Sequence, residues 1–364
     1  MKLQVTQENL NKALSSVSRV ASTRGTLPIL ANVLLKTING RLSIVATNLD
    51  IAITYYVGSK VGEEGAVTVP ARLMQDFVSS LPGGVIDLSL DGSKLHIEAG
   101  QYKSTINGIS ADEYPEMPVI EGGTKWTVAA PELKKTLQQV VGAASGDETR
   151  PVLTGVYMWS TPENTVCVVA TDSHRLAEKT LDVKAKDVSL LVPVSAMQDL
   201  LRLVSDYIGD VTVTHNEQQV LFEAGDAQLV ARLIDGKYPD YKKLIPGEFL
   251  TSISLQRSDL LNVTKVSSLF ARESAGSVTI HVDEEKQSLS IQSIASQLGE
   301  NTSSASGKVV GSGSITLNSR YLLDALQAFS GESITLGFNG KLEPVLLSDP
   351  NAKDYAHIIM PLKS

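Results

Sequence analysis

Apolar positions along the chain follow two spacings, one typical of helices and one typical of strands. In six segments apolar residues recur every three or four positions, which predicts amphipathic helices over Glu8–Ser22, Pro70–Leu81, Pro131–Ala143, Pro193–Asp206, Arg257–Arg272 and Asn318–Phe329. Between these segments, apolar and polar residues alternate in short runs such as Val85–Leu90. Turn dipeptides such as Asn39-Gly40 and Asp91-Gly92 bound the runs, which predicts antiparallel hairpins. The predicted class is α+β, with helices packed on antiparallel sheets.

The elements repeat along the chain. Val69–Phe77 (VPARLMQDF) returns as Val192–Leu200 (VPVSAMQDL), and Tyr114-Pro115 returns as Tyr238-Pro239, at offsets of 123 and 124 positions. A fainter third copy has Leu317–Ala325 at the corresponding place. The constant offset predicts three tandem domains of one fold, each with two helices, over residues 1–121, 126–246 and 249–364. The Ser- and Gly-rich run Ser303–Ser314 is predicted to be a loop inside the third domain.

Composition narrows the class of protein. A hydrophobic content of 42% with 20% charged residues is typical of globular domains, and no apolar run is long enough for a membrane span or a secretion signal. The single cysteine, Cys167, lies in an apolar run and is predicted to be a buried strand thiol. One cysteine excludes a disulfide framework and a cysteine-bound zinc site, and it suits a reducing cytoplasm.

Charge is distributed unevenly. The chain has a net charge of −8, yet the six predicted helices carry ten Lys or Arg and seven acidic residues. If all six helices lie on one surface, that surface is locally basic on an acidic body and attracts phosphates without reading bases. The alternative is that these lysines and arginines are ordinary solvated helix residues.

One stretch, Thr171–Leu176 (TDSHRL), combines a carboxylate, a hydroxyl and an imidazole. Asp172, Ser173 and His174 are consecutive, whereas a nucleophilic relay normally draws its groups from separate segments. The other histidines have no metal-ligand spacing, and no glycine-rich phosphate loop is present. The sequence therefore predicts no catalytic residues, no metal and no cofactor, although an enzyme that uses Asp172 and His174 stays open as an alternative.

A binding groove explains the same stretch better. Leu153, Leu176, Pro239 and Leu244 are predicted to form an apolar cleft beside His174, Arg175 and Lys243, the composition of a groove that captures a short peptide. The chain also ends on apolar residues. Ile358 and Ile359 suit a core strand, whereas Met360–Leu362 suit an adaptable binding surface.

These motifs closely resemble the bacterial DNA polymerase III β subunits, the sliding clamps. The resemblance rests on TDSHRLA with LIDGKYPDY, the VPARLMQDF and VPVSAMQDL pair, TLPIL and the terminal IIMPLKS, and it extends over the full length. It implies three clamp domains per chain, and two chains closed head-to-tail into a ring around duplex DNA with helices inside. It further implies a non-catalytic processivity factor that tethers DNA polymerase III through its α subunit, binds a clamp loader and binds other proteins carrying a clamp-binding motif.

The resemblance also implies site residues. The peptide pocket is expected to use Leu153, Thr171, Ser173, His174, Arg175, Leu176, Pro239, Lys243, Leu244, Leu342, Pro344, Val345, Ile358, Met360, Pro361 and Leu362. Residues near DNA are expected to be Arg24 and Arg72, joined by the helix residues Lys12, Arg19, Lys134, Lys135, Arg202, Lys265 and Arg320. The ring interface is expected to place Ile106 against Leu269 and Phe270 of a second copy.

Three positions depart from the family pattern. Ser173 stands where the family often has glycine, Lys243 where some members have arginine, and the chain ends Lys363-Ser364. Lysine keeps the charge of arginine but loses its fork geometry, so these changes bear on the preferred peptide. A peptide-binding scaffold that never surrounds DNA is a further alternative.

Overall fold

The computed structural model describes residues 1–21, 27–117, 120, 122–295 and 299–363 of the chain. The chain forms two compact units. Unit 1 comprises Met1–Lys134 and Ser195–Leu233, and unit 2 comprises Lys135–Val194 and Ile234–Ser364. The second repeat of the sequence is therefore divided between the two units, and the strand pairing gives the reason.

The α-helices of the described residues lie where the apolar spacing predicts them. They are α1 (Gln7–Val17), α2 (Ala71–Ser80), α3 (Ala130–Val140), α4 (Val194–Leu203), α5 (Arg257–Phe270) and α6 (Ser319–Ala328). Short 3-10 turns lie at Pro28–Ala31, Ala111–Glu113, Val141–Ala143, Pro151–Leu153, Tyr241–Leu244 and Ala271–Ser274. Side chains cap the starts of two helices: Thr6 Oγ1 accepts from Asn9 N (3.4 Å), and Asn318 Oδ1 accepts from Arg320 N (2.9 Å).

Unit 1 contains two antiparallel sheets. The first has the order β5-β1-β7-β8-β9, with β1 (Lys2–Thr6), β5 (Lys60–Glu63), β7 (Val85–Asp91), β8 (Lys94–Ala99) and β9 (Tyr102–Asn107). The second has the order β10-β15-β16-β17-β4-β3-β2-β6. Its strands are β2 (Asn32–Ile38), β3 (Arg41–Thr47), β4 (Ile51–Val57), β6 (Ala66–Pro70), β10 (Thr124–Ala129), β15 (Asp210–His215), β16 (Gln219–Ala224) and β17 (Ala227–Arg232).

Unit 2 repeats this arrangement. One sheet has the order β14-β11-β12-β13-β26-β25-β24-β18-β22 and the other β21-β20-β19-β23. The strands are β11 (Gly155–Ser160), β12 (Val166–Thr171), β13 (Arg175–Leu181), β14 (Ser189–Pro193), β18 (Thr251–Gln256), β19 (Ser277–Asp283), β20 (Ser288–Ala295), β21 (Gly299–Ser306), β22 (Lys308–Val310), β23 (Gly313–Asn318), β24 (Ser333–Phe338), β25 (Val345–Asp349) and β26 (Ala352–Ile359).

Two long-range strand pairs hold these large sheets together. In unit 1, β17 pairs antiparallel with β4, so that Val230 lies opposite Ala52. In unit 2, β26 pairs antiparallel with β13, so that Ile358 lies opposite Leu176. The second repeat thus contributes β10 and β15–β17 to one sheet and β11–β14 to another, which explains why it is divided between the units.

The prediction of a loop at Ser303–Ser314 is wrong. This segment contains the end of β21, all of β22 and the first residues of β23, and Ser303 pairs with Ile291. Most β21 side chains are exposed or half-buried, so the strand has no apolar pattern to reveal it. Its structure comes from backbone hydrogen bonds to β20, which do not require apolar side chains.

Candidate functional site

The Thr171–Leu176 stretch predicted to carry chemistry comprises the last residue of β12, a tight turn at Asp172–His174 and the first two residues of β13 in unit 2. Asp172 Oδ1 accepts hydrogen bonds from His174 N (2.8 Å) and Arg175 N (2.9 Å). Ser173 has a φ of 75°, the left-handed conformation in which glycine is at ease, and its N–H donates to Thr171 Oγ1 (3.1 Å). The polar side chains of this turn therefore hold the backbone in shape.

Arg175, the first residue of β13, is largely buried, with only 13% of its side chain exposed. Its Nε donates to Asp172 Oδ2 (3.1 Å) and its Nη1 donates to Asp324 Oδ2 of α6 (2.6 Å). The guanidinium also lies 4.7 Å from the centre of the Tyr321 ring, within the range of a cation–π contact. Arg175 thus joins the turn to α6 and is held from three sides.

An apolar cluster lies behind the turn. Its buried members come from β12, β13, β14, β26 and the segment that follows β17: Val169, Leu176, Leu191, Tyr238, Tyr241 and Ile358. Partly buried side chains pack around them: Val152, Tyr157, Trp159, Ile234, Ile245, Leu346 and Met360. We name these thirteen residues the unit 2 cluster. Of the predicted pocket residues, Leu176, Ile358 and Met360 belong to it.

Two predicted pocket positions are displaced by one residue from the side chains in the cluster. Val345 is fully buried, and its neighbour Leu346 packs on the cluster instead, because successive strand side chains point to opposite faces. Leu153 is 6% exposed, and the cluster member from its segment is Val152. The terminal residues follow the turn closely, because Met360 N donates to the His174 carbonyl (2.8 Å).

The remaining predicted pocket residues divide by exposure. Leu342 (67%) and Leu244 (44%) are exposed, as are Ser173, His174, Pro239 and Lys243, whereas Pro344, Pro361 and Leu362 are half-buried and Thr171 is buried. Lys243 forms an ion pair with Asp240 (2.8 Å), which raises the pKa of Lys243 and lowers that of Asp240. Of the four residues predicted to form the apolar cleft, the unit 2 cluster contains Leu176 and not Leu153, Pro239 or Leu244, so the cleft stays a prediction.

Sequence reasoning missed the aromatic members of the cluster. Tyr157 and Tyr238 stack with ring centres 4.9 Å apart, and Trp159 Nε1 donates to Tyr241 Oη (3.0 Å). Cys167 lies 3.6 Å from that hydroxyl and is buried, as predicted, which raises the pKa of its thiol to about 12. The repeated Tyr-Pro step at 114 and 238 was the available signal, because a tyrosine kept at the same place in both copies suggests a shared packing role.

The basic residues of unit 1 are partly gathered. Lys12 of α1, Arg19 in the turn after α1 and Arg202 of α4 line one depression of about 390 Å³ that also contains Asp199 and Asp226. Arg202 donates to Asp199 (2.6 Å). Elsewhere in the unit, Lys134 Nζ donates to the Ser205 carbonyl (2.7 Å), and the exposed Arg72 lies 3.9 Å from Asp76.

In unit 2, Lys135 of α3 and Asp324 of α6 line a depression of about 430 Å³. Lys265 of α5 and Arg320 of α6 are both exposed. Arg24 lies outside the described residues. The cations named from the sequence are therefore mostly exposed on helices, but carboxylates are interspersed among them.

The three residues expected at the ring interface differ in exposure. Ile106 on β9 is only 6% exposed, Leu269 on α5 is 52% exposed, and Phe270 is half-buried. Two searches across the described parts of the chain gave no candidate. No His, Cys, Asp or Glu cluster of three or more is arranged to hold a metal ion, and no helix has the length and apolar character needed to cross a membrane.

Comparisons with known proteins give the family. Models of the N-terminal, central and C-terminal domains of the DNA polymerase III beta subunit match residues 1–118, 127–240 and 242–363. The chain belongs to the DNA polymerase III beta subunit family. The resemblance seen in the sequence is confirmed, and so is the α+β sliding-clamp fold of three domains. This membership supports a processivity-clamp role in DNA replication.

Individual relatives agree over their full length. The beta sliding clamp of Synechococcus elongatus is 33% identical, over 100% of this chain and 99% of the relative. That of Bacillus subtilis is 29% identical, over 100% of both. The solved DNA polymerase III beta subunit of Thermotoga maritima superposes with a TM-score of 0.94 at 26% identity, covering 100% of this chain and 99% of that one.

Proposed function

We propose that two copies of this chain close head-to-tail into a ring that encircles duplex DNA and tethers the replicative polymerase. The ring has no catalytic activity, acts in the cytoplasm and is opened and closed by a clamp loader. It holds DNA polymerase III through the α subunit and also holds other proteins with a clamp-binding motif. Its clamp domains span residues 1–121, 126–246 and 249–364.

The observation that carries this proposal is the equivalence of strand edges. Within the units, β17 pairs with β4 and β26 pairs with β13. By position in the repeat, β9 corresponds to β17 and β26, while β21 corresponds to β4 and β13. Both β9 and β21 end their sheets with one side unpaired among the described strands, and unpaired edges favour strand addition.

A third junction of the same kind, between β9 of one copy and β21 of another, is heterologous, and such contacts generate rings when the rotation closes. Leu269 is exposed on α5, the helix that packs on β20 and β21, so it stands beside the proposed edge. Ile106 lies on β9 but is buried within its own sheet, so we propose that it supports the edge from behind.

Two surfaces complete the proposed function. The unit 2 cluster, with the exposed Lys243 on the segment that follows β17, binds an apolar peptide segment of each partner, because an apolar patch beside a few charged groups is how such segments are bound. We propose that the cations on or next to the helices face the DNA: Lys12, Arg19, Arg72, Lys134, Lys135, Arg202, Lys265 and Arg320, all exposed except the half-buried Lys134. Arg24, expected to join them, lies outside the described residues. Interspersed carboxylates keep that attraction weak, which suits a protein that slides.

A topological experiment tests the ring. The protein is loaded onto nicked circular DNA with a clamp loader, the circle is cut once, and the bound fraction is measured at a salt concentration that removes phosphate contacts. We expect protein to remain on circles and to leave linear DNA. Equal retention on both forms would indicate ordinary contact binding, and absence of binding to either form would favour a peptide-binding scaffold that never surrounds DNA.

A second experiment tests the peptide pocket. We expect the double variant Leu176→Ala with Met360→Ala to lose binding of clamp-binding peptides by about a hundredfold, because Met360 is a partly exposed contact and the buried Leu176 supports the apolar floor beneath it. Retention on circular DNA should be unchanged, since neither residue lies on β9 or β21. Peptide affinity that survives both truncations would place the pocket elsewhere.

A further inference from the structure

Unit 1 contains a cavity of about 810 Å³ that the proposed function does not use. Its floor is formed by β2, β3, β4, β16 and β17, and one wall is formed by the segment 111–117 that follows β9. Leu34, Leu221, Val230 and Met117 line it and are each half-buried. The cavity is therefore apolar at its base and open to solvent.

The floor of this cavity corresponds, position by position, to the unit 2 cluster. Val45 lies opposite Leu34 as Val169 lies opposite Tyr157. Ala52 pairs with Val230 as Leu176 pairs with Ile358. Leu221 pairs with Val230 as Leu346 pairs with Ile358. The repeat offset of the sequence and the strand register thus identify the same equivalent pairs.

The wall corresponds as well. Tyr114 of segment 111–117 is buried against Ile29 and Val45, as Tyr238 is buried in the unit 2 cluster. The Tyr114 hydroxyl accepts from Thr47 N (3.2 Å) and donates to the Asn32 carbonyl (3.4 Å). Burial raises the pKa of this hydroxyl to about 12. The wall is consequently fixed by Tyr114, so the cavity is a preformed feature of unit 1.

Smaller side chains explain why unit 1 has a cavity where unit 2 has the packed cluster. Ala52 stands where unit 2 has Leu176, Leu34 where it has Tyr157, and Met117 where it has Tyr241. Each exchange removes heavy atoms from the same backbone frame. The unit 1 cavity is thus a deeper version of the surface that the unit 2 cluster presents.

The charge along the wall of the unit 1 cavity is opposite to the charge along residues 235–243 beside the unit 2 cluster. Segment 111–117 carries Asp112, Glu113 and Glu116 and no cation. The corresponding segment 235–241 carries Lys237 against two aspartates, and Lys242 and Lys243 follow it directly, where the equivalent positions 118 and 119 are uncharged. Asp112 and Glu116 line the cavity and are exposed, and among the described residues that line it Lys36 is the one cation. Complementary charge selects partners, so the unit 1 cavity favours a basic segment.

We propose that this cavity is a second docking groove, which takes a linear peptide that presents apolar side chains next to lysine or arginine. The inference rests on the proposed peptide pocket of unit 2, of which the groove is the internal counterpart. The occupant is a peptide because the frame is the same as in unit 2, and it is basic because of Asp112 and Glu116. One chain then holds two different partner segments at once.

The methionines allow each groove to be observed separately in the full chain. Of the six methionines, Met117 lines the unit 1 groove and Met360 packs on the unit 2 cluster. Two octapeptides are titrated into protein carrying ¹³C-methyl methionine: Gly-Lys-Lys-Leu-Ala-Phe-Leu-Gly and its twin with glutamate in place of lysine. We expect the lysine peptide to shift the Met117 methyl signal and the glutamate peptide to shift that of Met360.

Matched variants locate the binding. Leu221→Ser should weaken the lysine peptide about tenfold or more, since an apolar contact is lost, whereas the equivalent Leu346→Ser should not affect it. Because Leu221→Ser touches a sheet, a surface variant serves as a second test. Asp112→Lys with Glu116→Lys should weaken the lysine peptide about fivefold and strengthen the glutamate peptide at Met117.

An unmoved Met117 signal up to about 1 mM lysine peptide would overturn the inference. So would a Met117 shift that persists unchanged in Leu221→Ser and in the charge-reversed variant. A glutamate peptide that fails to move Met360 would count against the pocket proposed in unit 2 instead, so the two proposals fail through different signals.

Discussion

The two large sheets of this molecule have the same strand register but different interiors at their junctions. In unit 1 the junction of β4 and β17 has a cavity above Ala52, and in unit 2 the junction of β13 and β26 has an aromatic cluster above Leu176. The backbone frame is common to both. The difference teaches that register fixes where a groove lies, whereas side-chain volume and charge decide what the groove accepts.

The two junctions also differ on the other face of their sheets, opposite the cavity and the cluster. His357 and Tyr355 of β26 are buried and joined by a hydrogen bond (2.9 Å), and the Tyr355 hydroxyl donates to the Gln139 carbonyl (3.2 Å). The equivalent residues of β17 are Leu229 and Ala227, both buried and apolar. Unit 2 thus has polar groups in a core position where unit 1 has none, and its stability should depend on pH accordingly.

Exchanging the two junction residues tests the comparison most strongly. Leu176→Ala should destabilise the protein by about 3 kcal/mol, because a buried leucine leaves a void. Ala52→Leu should change stability by less than about 1 kcal/mol, because the cavity has room for the added atoms. Urea unfolding of both variants measures this. A large loss in Ala52→Leu would mean that the cavity is not the counterpart of the filled cluster.

The next largest expected effect is the pH dependence of the free energy of unfolding that the buried His357 causes. Burial, together with the charge of Arg175, lowers the pKa of His357 from 6.5 to about 3. The unfolded chain binds a proton near pH 6.5 and the folded chain only near pH 3, so this group's contribution is complete above pH 6.5 and falls as the pH drops through that window. Between pH 7 and pH 5 the loss should be about 2 kcal/mol.

His357→Leu, which introduces the residue found at the equivalent position of unit 1, should remove that part of the pH dependence. Unfolding midpoints at pH 7 and pH 5 compare the variant with the parent chain, and the exposed His281→Gln is the control. Burial also lowers the pKa of His215 in unit 1, so some dependence should remain in the variant. An unchanged slope in His357→Leu would contradict the assignment.

The smallest effect concerns the two turns that precede the junction strands. Leu49 and Ser173 occupy equivalent positions with φ of 78° and 75°. Glycine adopts this conformation without steric cost, so Leu49→Gly should stabilise the chain by about 0.5–1 kcal/mol. Ser173→Gly should gain less, because it removes the hydrogen bond from Arg150 Nη1 to Ser173 Oγ (3.0 Å). Thermal unfolding of both variants shows which one gains more stability. An equal gain in the two variants would mean that the Arg150–Ser173 hydrogen bond contributes little.

Much of this architecture was predictable from the sequence, because the repeat offset records the fold. The helix positions followed from apolar spacing, and the Tyr114 and Tyr238 repeat pointed to equivalent packing. The pairs β4 with β17 and β13 with β26 were not predictable, since partners so far apart in the chain leave no local pattern. Strands such as β12 are buried at every position and apolar at all but the last, so alternation could not assign their faces.

The candidate site was predictable in part for the same reason. The turn and Arg175 stand out in the sequence because their residue types are unusual there, but Asp324, which pairs with Arg175, lies 149 positions away. Val345 was predicted where Leu346 packs on the cluster, because a one-residue error in strand register changes the face of every side chain. The contacts that define the pocket therefore had to come from the structure.

The division of the second repeat has a consequence for dissecting the protein. A fragment cut after residue 246, at the end of the second predicted domain, retains β13 but loses β26, its partner along Arg175–Lys179. The fragment would then carry a bare row of amide and carbonyl groups next to exposed apolar side chains, and such edges aggregate. The limits of a repeat in the gene are thus not the limits at which the polypeptide can be safely divided.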